Sequence, residues 1–505
     1  MKKSIIKTAL VLCTVSGVAI VSGCKKFLDN EIPGAFAESD FYKTDNDVMQ
    51  AVTGVYDMMQ AHYNSSWGSL YMVKSLLSDE SNSGGNNAGD QPGYQTLDDY
   101  TFDATNDKVQ EAWRMCYYTI YRANKVINKS DDATPLKKRL KAEAKVLRAY
   151  NYFELVSLWG DVPLVLNDIP PSQFTSTPRT AKAEVYKQIE KDLTEAAAEL
   201  PLKSAYSAAD RFRVSKGTAQ ALLGKALLYQ QKWADAAAQF DLVINSGVYS
   251  MAPSIAEAFS RQSEFGSESI FEISYSNQRS YDWGNFPWGA APESNIHIQL
   301  MGPRGDFYTK APADSLIAGW GFIRPKQKMW NAFIADGSVS RRNQSIMSQA
   351  ELIAAGGNWT APADYDYEGF FQRKYGSFQS QTGGPIGELN YGTNWRHIRY
   401  ADVLLMAAEA NYQTNEVKAR GFINQIRQLR GVPDVVATGA ALFQAIVRER
   451  QVELAFEGVR YTDLVRWGLA AAELGPLGYV TGKHNLLPIP DYDVRTGNLP
   501  QNNGY

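Results

Sequence analysis

Residues Lys216–Gln231 and Trp233–Asn245 are two stretches of helical period joined by a short turn. Gly224, Ala226, Tyr229, Trp233, Ala237 and Phe240 set small against large side chains in the alternation of a tetratricopeptide helical hairpin. Small residues let the two helices approach closely and the large ones fill the gap between them. This part of the chain is thereby committed to a packed helix pair. A related pair is Tyr400–Gln413 with Glu416–Arg430, and residues 111–158 supply a third. No strict 34-residue period runs through the chain, so it is not a uniform solenoid.

Other segments share the helical period. Val48, Val52, Val55, Met58 and Met59 mark a helix within Phe41–His62. Leu140, Ala144, Leu147, Asn151, Glu154 and Leu158 mark one face of a long helix over Leu136–Leu158, stopped by W-G-D-V-P at 159–163. Ala183–Glu199 is helical up to Pro201, and 440–457 is helical again. Residues 65–105 are rich in Gly, Asn, Ser and Asp and predict a long loop of the kind that is functional or disordered. Ile270–Tyr275 alternates as a short strand, 276–328 is rich in Gly, Pro and aromatics, and 337–395 is irregular. The fold class is mainly α: tetratricopeptide-like hairpins at about 109–159, 183–245, 397–430 and 440–467, with a loop-rich half of small strands.

The amino terminus fixes the compartment. Lys2, Lys3 and Lys7 precede the 15 mostly apolar residues Thr8–Ser22, the pattern of a secretory signal. That run is shorter than the roughly 20 residues a membrane helix needs. Ser22 and Gly23 before Cys24 resemble a bacterial lipobox, so the mature chain starts at a lipidated Cys24. The alternative is an ordinary secretory signal with a chance cysteine. Residues 24–37 read as a tether and 38–505 as a single domain. Besides Cys13 in the signal and Cys24, only Cys116 remains, so this exported body has no internal disulfide and relies on its core, with Cys116 as a small buried hydrophobe. Loss of the three signal lysines takes the formal charge from −3 to −6, and no basic stripe marks a nucleic-acid binder.

No catalytic motif stands out. His62, His297, His397 and His484 have no metal spacing, and neither a G-x-S-x-G elbow nor a phosphate loop is present. No cofactor is implied. Asp and Asn in 79–90 would allow a structural Ca²⁺, without EF-hand spacing. A paired-carboxylate glycosidase stays open, because its two acids need not be close in sequence.

The aromatics say more. Trp113, Trp159, Trp233, Trp330 and Trp395 lie within or beside helical patterns, with Trp467 just past one, and all six read as core. Trp67, Trp283, Trp288, Trp320 and Trp359 lie in loop-like sequence. The run Tyr281–Gly289 holds four aromatics in the eight positions 281–288, with Gly and Pro keeping the backbone irregular. Flat rings stack on the C–H face of a pyranose, and Asp79, Asn82, Asn86 and Arg304 are polar partners in the same regions for its hydroxyls. The alternative is that the rings pack the loops onto the helices.

The helical motifs resemble those of the SusD/RagB family. They are R-L-K-A-E-A-K-V-L-R-A-Y at 139–150 with W-G-D-V-P-L at 159–164, and I-R-Y-A-D-V-L-L at 398–405 with Glu409 and Ala410. Next comes I-V-R-E-R-Q-V-E-L-A-F-E-G at 446–458 with Arg460 and D-L-V-R-W at 463–467. The ending L-P-I-P at 487–490 with Q-N-N-G-Y at 501–505 completes the set. The resemblance implies an outer-membrane lipoprotein facing outward, built of four tetratricopeptide-like hairpins. It implies a SusC-like TonB-dependent barrel as partner, on which the protein sits as a lid that delivers oligosaccharide. It also implies that Arg148, Glu449, Arg450 and Glu453 are structural. Ligand residues are placed by region only, at about 63–106 and 274–395: Asp79, Tyr94, Tyr281, Trp283, Trp288 and Trp320, then Trp67 and Trp359. Trp320 is ambiguous, since it precedes a family-like helix. The reading is a non-catalytic glycan-binding protein; its rivals are a surface glycosidase and a lid for peptide or another nutrient.

Overall fold

The helices begin where the sequence supplies caps. Asn106 accepts hydrogen bonds from the amides of Lys108 and Val109 and opens a helix at Asp107. Thr134 accepts from the Lys137 amide, with Pro135 in the first turn, and opens a 25-residue helix, which Gly160 ends at φ 76°. Ser215 and Thr218 cap each other reciprocally before Lys216.

The computed structural model describes residues 41–62, 68–170, 176–278, 293–313, 316–360, 365–383 and 389–505. Cys24 and the tether lie outside the described residues. The first helices are α1 (Asp45–His62), α2 (Leu70–Leu76), α3 (Pro92–Asp98), α4 (Asp107–Lys129), α5 (Pro135–Trp159), α6 (Lys182–Glu199), α7 (Lys216–Tyr229) and α8 (Trp233–Asn245). There follow α9 (Ile255–Ala258), α10 (Ile296–Met301), α11 (Gln327–Asp336), α12 (Val339–Ser345), α13 (Gln349–Ala354), α14 (Tyr400–Asn411), α15 (Glu416–Leu429), α16 (Gly439–Glu453) and α17 (Arg460–Arg466). Each helix from α4 to α8 packs on the next, α8 packs on α14, and α14 packs on α15 and α16. The fold is mainly helical, with the tetratricopeptide-like arrangement expected from the hairpin pattern. At Gly224 an added Cβ would lie 2.5 Å from Cε1 of Phe240, so the α7–α8 pair is as close as its small residues allow.

The other half is held by two-stranded antiparallel sheets. β1 (Ser81–Gly84) pairs with β6 (Phe322–Pro325), β2 (Val162–Pro163) with β3 (Arg179–Thr180), and β4 (Ser269–Ile273) with β10 (Trp395–Arg399). β5 (Tyr308–Thr309) pairs with β8 (Asn358–Trp359), and β7 (Ile346–Ser348) with β9 (Phe370–Gln372). One large core runs from Tyr42 to Leu499, and smaller clusters sit under the inserted segments. Trp113, Trp159, Trp395 and Cys116 are buried; Trp233, Trp330 and Trp467 are half-buried.

Three expectations are corrected. The 65–105 stretch is not one loop: it holds α2, β1 and α3. Its small polar residues hide a buried strand that pairs with β6 from far along the chain, while Ser83 is held by Gln95 and Asp98 and by Asp366. Residues 337–395 are less irregular than predicted, since α12 and α13 form there, the latter behind a Ser348–Glu351 capping box. Trp395 begins a strand rather than belonging to a helix.

The charged family motifs stitch helices together. Arg148 makes a fork to Asp192 at 2.8 and 2.7 Å and reaches Asn124 at 2.8 Å. Arg450 bridges Asp402 and Asp463, both at 2.8 Å. Glu449 accepts from Arg341 and Arg427 at 2.6 Å each, and Glu453 from Arg430 at 2.9 Å. Buried carboxylates with such partners meet the requirement that buried charge be paired and hydrogen-bonded.

Candidate functional site

The structure separates the residues singled out in sequence into three groups. Trp67, Tyr281, Trp283 and Trp288 lie outside the described residues. Asp79 and Tyr94 are corrected from ligand contacts to scaffold. Asp79 is 1% exposed and receives a fork from Arg460 at 2.9 and 3.0 Å, with Lys328 at 2.7 Å. Burial pushes its carboxyl up, but the Arg460 and Lys328 bonds and charges outweigh that and hold it below the usual range. Tyr94 is fully buried, edge-on to Phe322 at 5.3 Å with the Lys108 ammonium 5.1 Å from its ring, and burial drives its hydroxyl far up. Neither side chain is on the surface.

The third group lies on the loop-rich half. Trp320 is half-buried against the main core; its amide donates to the Gln299 carbonyl at 2.9 Å and its carbonyl accepts from Arg304 at 3.2 Å. Trp359 is buried in a satellite cluster with Phe307, Tyr367 and Phe371, and the Arg324 guanidinium lies 5.2 Å from its ring. For Trp359 the packing alternative therefore holds. Asn82 donates to Glu368 at 2.7 Å, Asn86 is exposed, and Arg304 pairs with Asp306 at 2.9 Å and Asp90 at 3.2 Å.

What the fold does bring together is an amide-laced platform. At the end of α1, Gln60 Nε2 donates to the carbonyls of Ser274 at 3.0 Å and Glu293 at 3.3 Å. The Ser276 amide donates to the Glu293 carbonyl at 2.7 Å. Asn390 Nδ2 donates to the Asn277 carbonyl at 3.1 Å, and Ser294 Oγ to that of Leu389 at 3.3 Å. Asn295 Nδ2 donates to Thr393 O at 2.9 Å, and Thr393 Oγ1 to Gln381 Oε1 at 2.6 Å. The described residues that flank 63–67, 279–292 and 384–388 thus meet on one base. Beside it, Tyr56, Met59, Gln60, Phe212, Tyr275 and Glu293 line a groove of about 310 Å³. The buried His297 is neutral, because burial lowers it to about 3. Its Nε2 lies 2.7 Å from Ser69 Oγ, tying α10 to the start of α2.

Sequence reasoning passed over these amides. Their signal was Asn and Gln recurring among Gly, Pro and aromatics, in stretches too irregular to predict which backbone groups they would hold. Among the described residues no group of three or more His, Cys, Asp or Glu is placed to hold a metal ion.

Comparison with known proteins gives the lineage. Residues 340–505 match the model described as the SusD family, and residues 26–228 the one described as "Starch-binding associating with outer membrane". The chain is 32% identical to a solved laminarin-binding SusD-like protein, with a TM-score of 0.82 over 92% of this chain and all of that one. The chain belongs to the SusD family. Surface glycan-binding protein A from Bacteroides fluxus is 25% identical, with a TM-score of 0.80 over 92% of this chain and 100% of that one. SusD-like protein P2 of Formosa agariphila is 27% identical, covering 96% of this chain and 97% of its own length. The three helical motifs and the ending read from the sequence are thus scaffold of a SusD-like fold, and the buried charge pairs above are how that scaffold holds in this member.

Proposed function

We propose that this SusD-like chain is a non-catalytic glycan-binding lipoprotein of the outer membrane. It is held by lipid on Cys24, faces outward, and acts as the lid of a SusC-like TonB-dependent barrel. The observation that carries the reading is its likeness, over nearly the whole chain, to a protein that binds laminarin. Two further points support it. One family description associates matching proteins with the outer membrane, while no helix of the described residues is long and apolar enough to cross one. The amide platform also anchors the residues on both sides of 279–292, the segment that carries Tyr281, Trp283 and Trp288.

Glycan contact falls to Trp283 and Trp288 first, then Tyr281, Trp67 and the half-buried Trp320. A stacked ring contributes about 1 kcal/mol beyond its area, whereas micromolar affinity needs about 8 kcal/mol. Several rings must therefore act on one glycan. The test is affinity gel electrophoresis and calorimetry against laminarin and a panel of plant, fungal and host polysaccharides. Trp283→Ala and Trp288→Ala should each weaken binding about fivefold or more while the melting temperature holds. Binding unchanged in both variants would refute these contacts. Release of reducing ends would replace binding by hydrolysis as the function.

A further inference from the structure

A larger cavity lies next to the platform, near Gly392. It has a volume of about 670 Å³ and is walled by residues 255–264, by Asn343 and Gln344 of α12 and by residues 373–381, with Arg211 at its edge. That volume suits a ligand of one to three rings. A Cβ placed on Gly392 would stand 3.1 Å from the Arg261 guanidinium and 3.2 Å from Asn277 Cγ, so the cavity and the platform share this glycine as their border. Gln381 belongs to both: it lines the cavity, and its carbonyl accepts from Asn277 at 3.4 Å.

The cavity's charge has a sign. Arg211, Arg261 and Arg373 line it, against the single carboxyl of Glu264. Its other cation is spoken for, since Lys374 sits 2.6 Å from Glu457 and donates to the carbonyls of Glu453 and Ala455. Arg396, just behind, is likewise held by the carbonyls of Asn394 at 2.8 Å and Ser260 at 2.7 Å. Arg261 differs. It is half-buried, yet among the described residues its guanidinium makes no hydrogen bond or ion pair, and its charge is felt by Glu264. A guanidinium fork held in a recess without a partner is built to take a planar or tetrahedral anion through two parallel bonds. Edges of Phe259, Tyr375 and Phe378 supply the apolar wall that a sugar ring needs.

We propose that this cavity is a binding subsite for an anionic sugar unit, a uronate or a sulfated residue, whose charged group is taken by Arg261. The saccharide class rests on the glycan reading above; the anion specificity rests on the cavity alone. Glu264 tunes it. Burial, reinforced by Glu272, pushes its carboxyl up to about 7, against the pull of the Asn394 amide and of Arg396 and Arg261. Below that value the carboxyl is neutral and leaves Arg261 to the ligand; above it, it is ionised and repels the anion. Affinity for an anionic probe therefore falls as pH rises through about 7, while a uronate or sulfate keeps its charge throughout.

The test uses the mature chain in detergent and calorimetry with three probes: a galacturonate trisaccharide, a sulfated galactan trisaccharide and an uncharged laminari-oligosaccharide. At least one anionic probe should bind about tenfold tighter than the neutral one, the difference that a charge-assisted fork supplies. Arg261→Gln should erase that advantage, Arg261→Lys should keep part of it, and neither should move the melting temperature. Which anionic probe wins tells carboxylate from sulfate. Anionic probes that bind no tighter than the neutral one, or that bind Arg261→Gln like the wild type, overturn the subsite. The two readings fail separately. Arg261-dependent binding that ignores Trp283→Ala would sink the aromatic contacts and leave the subsite, whereas neutral glycan lost in Trp283→Ala with no anion preference would do the reverse.

Discussion

Replacing Glu453 by Gln tests the claim that the family's charged motif is a structural node. Glu453 is fully buried on α16, and three guanidiniums converge on it. Arg430 gives it two bonds, at 2.9 and 3.1 Å, with Arg341 at 3.2 Å and Arg399 at 3.5 Å. Burial pushes the carboxyl up, but Arg430, Arg399 and Arg341 outweigh it and hold it well below the ordinary range. The three arginines do not lose equally. Arg341 keeps Glu449 and Asp336, each at 2.6 Å, and Arg399 keeps Glu268 and Glu457. Arg430 keeps only the Ala252 carbonyl at 2.9 Å among the described residues. Glu453→Gln therefore strands one buried guanidinium, which costs about 3–5 kcal/mol. The assay is urea unfolding followed by tryptophan fluorescence. The double variant Arg430→Met/Glu453→Gln should lose less than Glu453→Gln alone, because the stranded charge is gone. The sign of the pH dependence follows from the depressed carboxyl: its stabilisation is present above the unfolded value of about 4.5 and is lost as pH falls toward the folded one, so wild type and variant converge in acid. A loss under about 1 kcal/mol at neutral pH, the size of an exposed pair, would refute the node.

The scaffold was legible because its signals are local. Period, caps and the stop at Gly160 placed the long helix at 136–158 against an observed Pro135–Trp159. Gly224 and Phe240 announced a close hairpin from sequence spacing alone. What was illegible depends on partners far along the chain. Asp79 reads as a loop acid until Arg460 arrives 381 residues later. Ser81–Gly84 reads as turn composition until it pairs with Phe322–Pro325. Trp359 reads as an exposed ring until Tyr308, Met347 and Phe371 close over it. The same physics hid the cavity beside Gly392, for Arg211, Arg261 and Arg373 are unremarkable singly and acquire a common charge only when three separate segments meet. Ligand sites on connecting segments carry no period, so composition can nominate regions for them but not say which rings stay free.

Two further outcomes bear on packing and on the platform. Gly224→Ala should destabilise by about 1–3 kcal/mol through overpacking, since its Cβ falls 2.5 Å from the Phe240 ring; a neutral effect in thermal unfolding would mean that the α7–α8 contact is looser than the structure has it. His297 offers a sharper test. Asn295 Nδ2 is committed to Thr393 O, so Asn295 Oδ1 faces the ring 3.2 Å from Nδ1 and can only accept. Nδ1 therefore carries the proton, and Nε2 accepts from the Ser69 hydroxyl at 2.7 Å. Burial lowers this imidazole to about 3. An unfolded chain takes up a proton near pH 6.5 that the folded one refuses, so stability is unaffected above that value and falls as pH drops through the window from about 6.5 to 3. The slope is about 1.4 kcal/mol per pH unit for one proton. Comparing pH 7 with pH 5, wild type should lose about 2 kcal/mol more than His297→Gln, which has nothing there to protonate. Parallel pH profiles for the two proteins, or an imidazole that titrates near 6.5 by NMR in the folded wild type, would mean that water reaches His297 and that the base of the platform is open rather than packed.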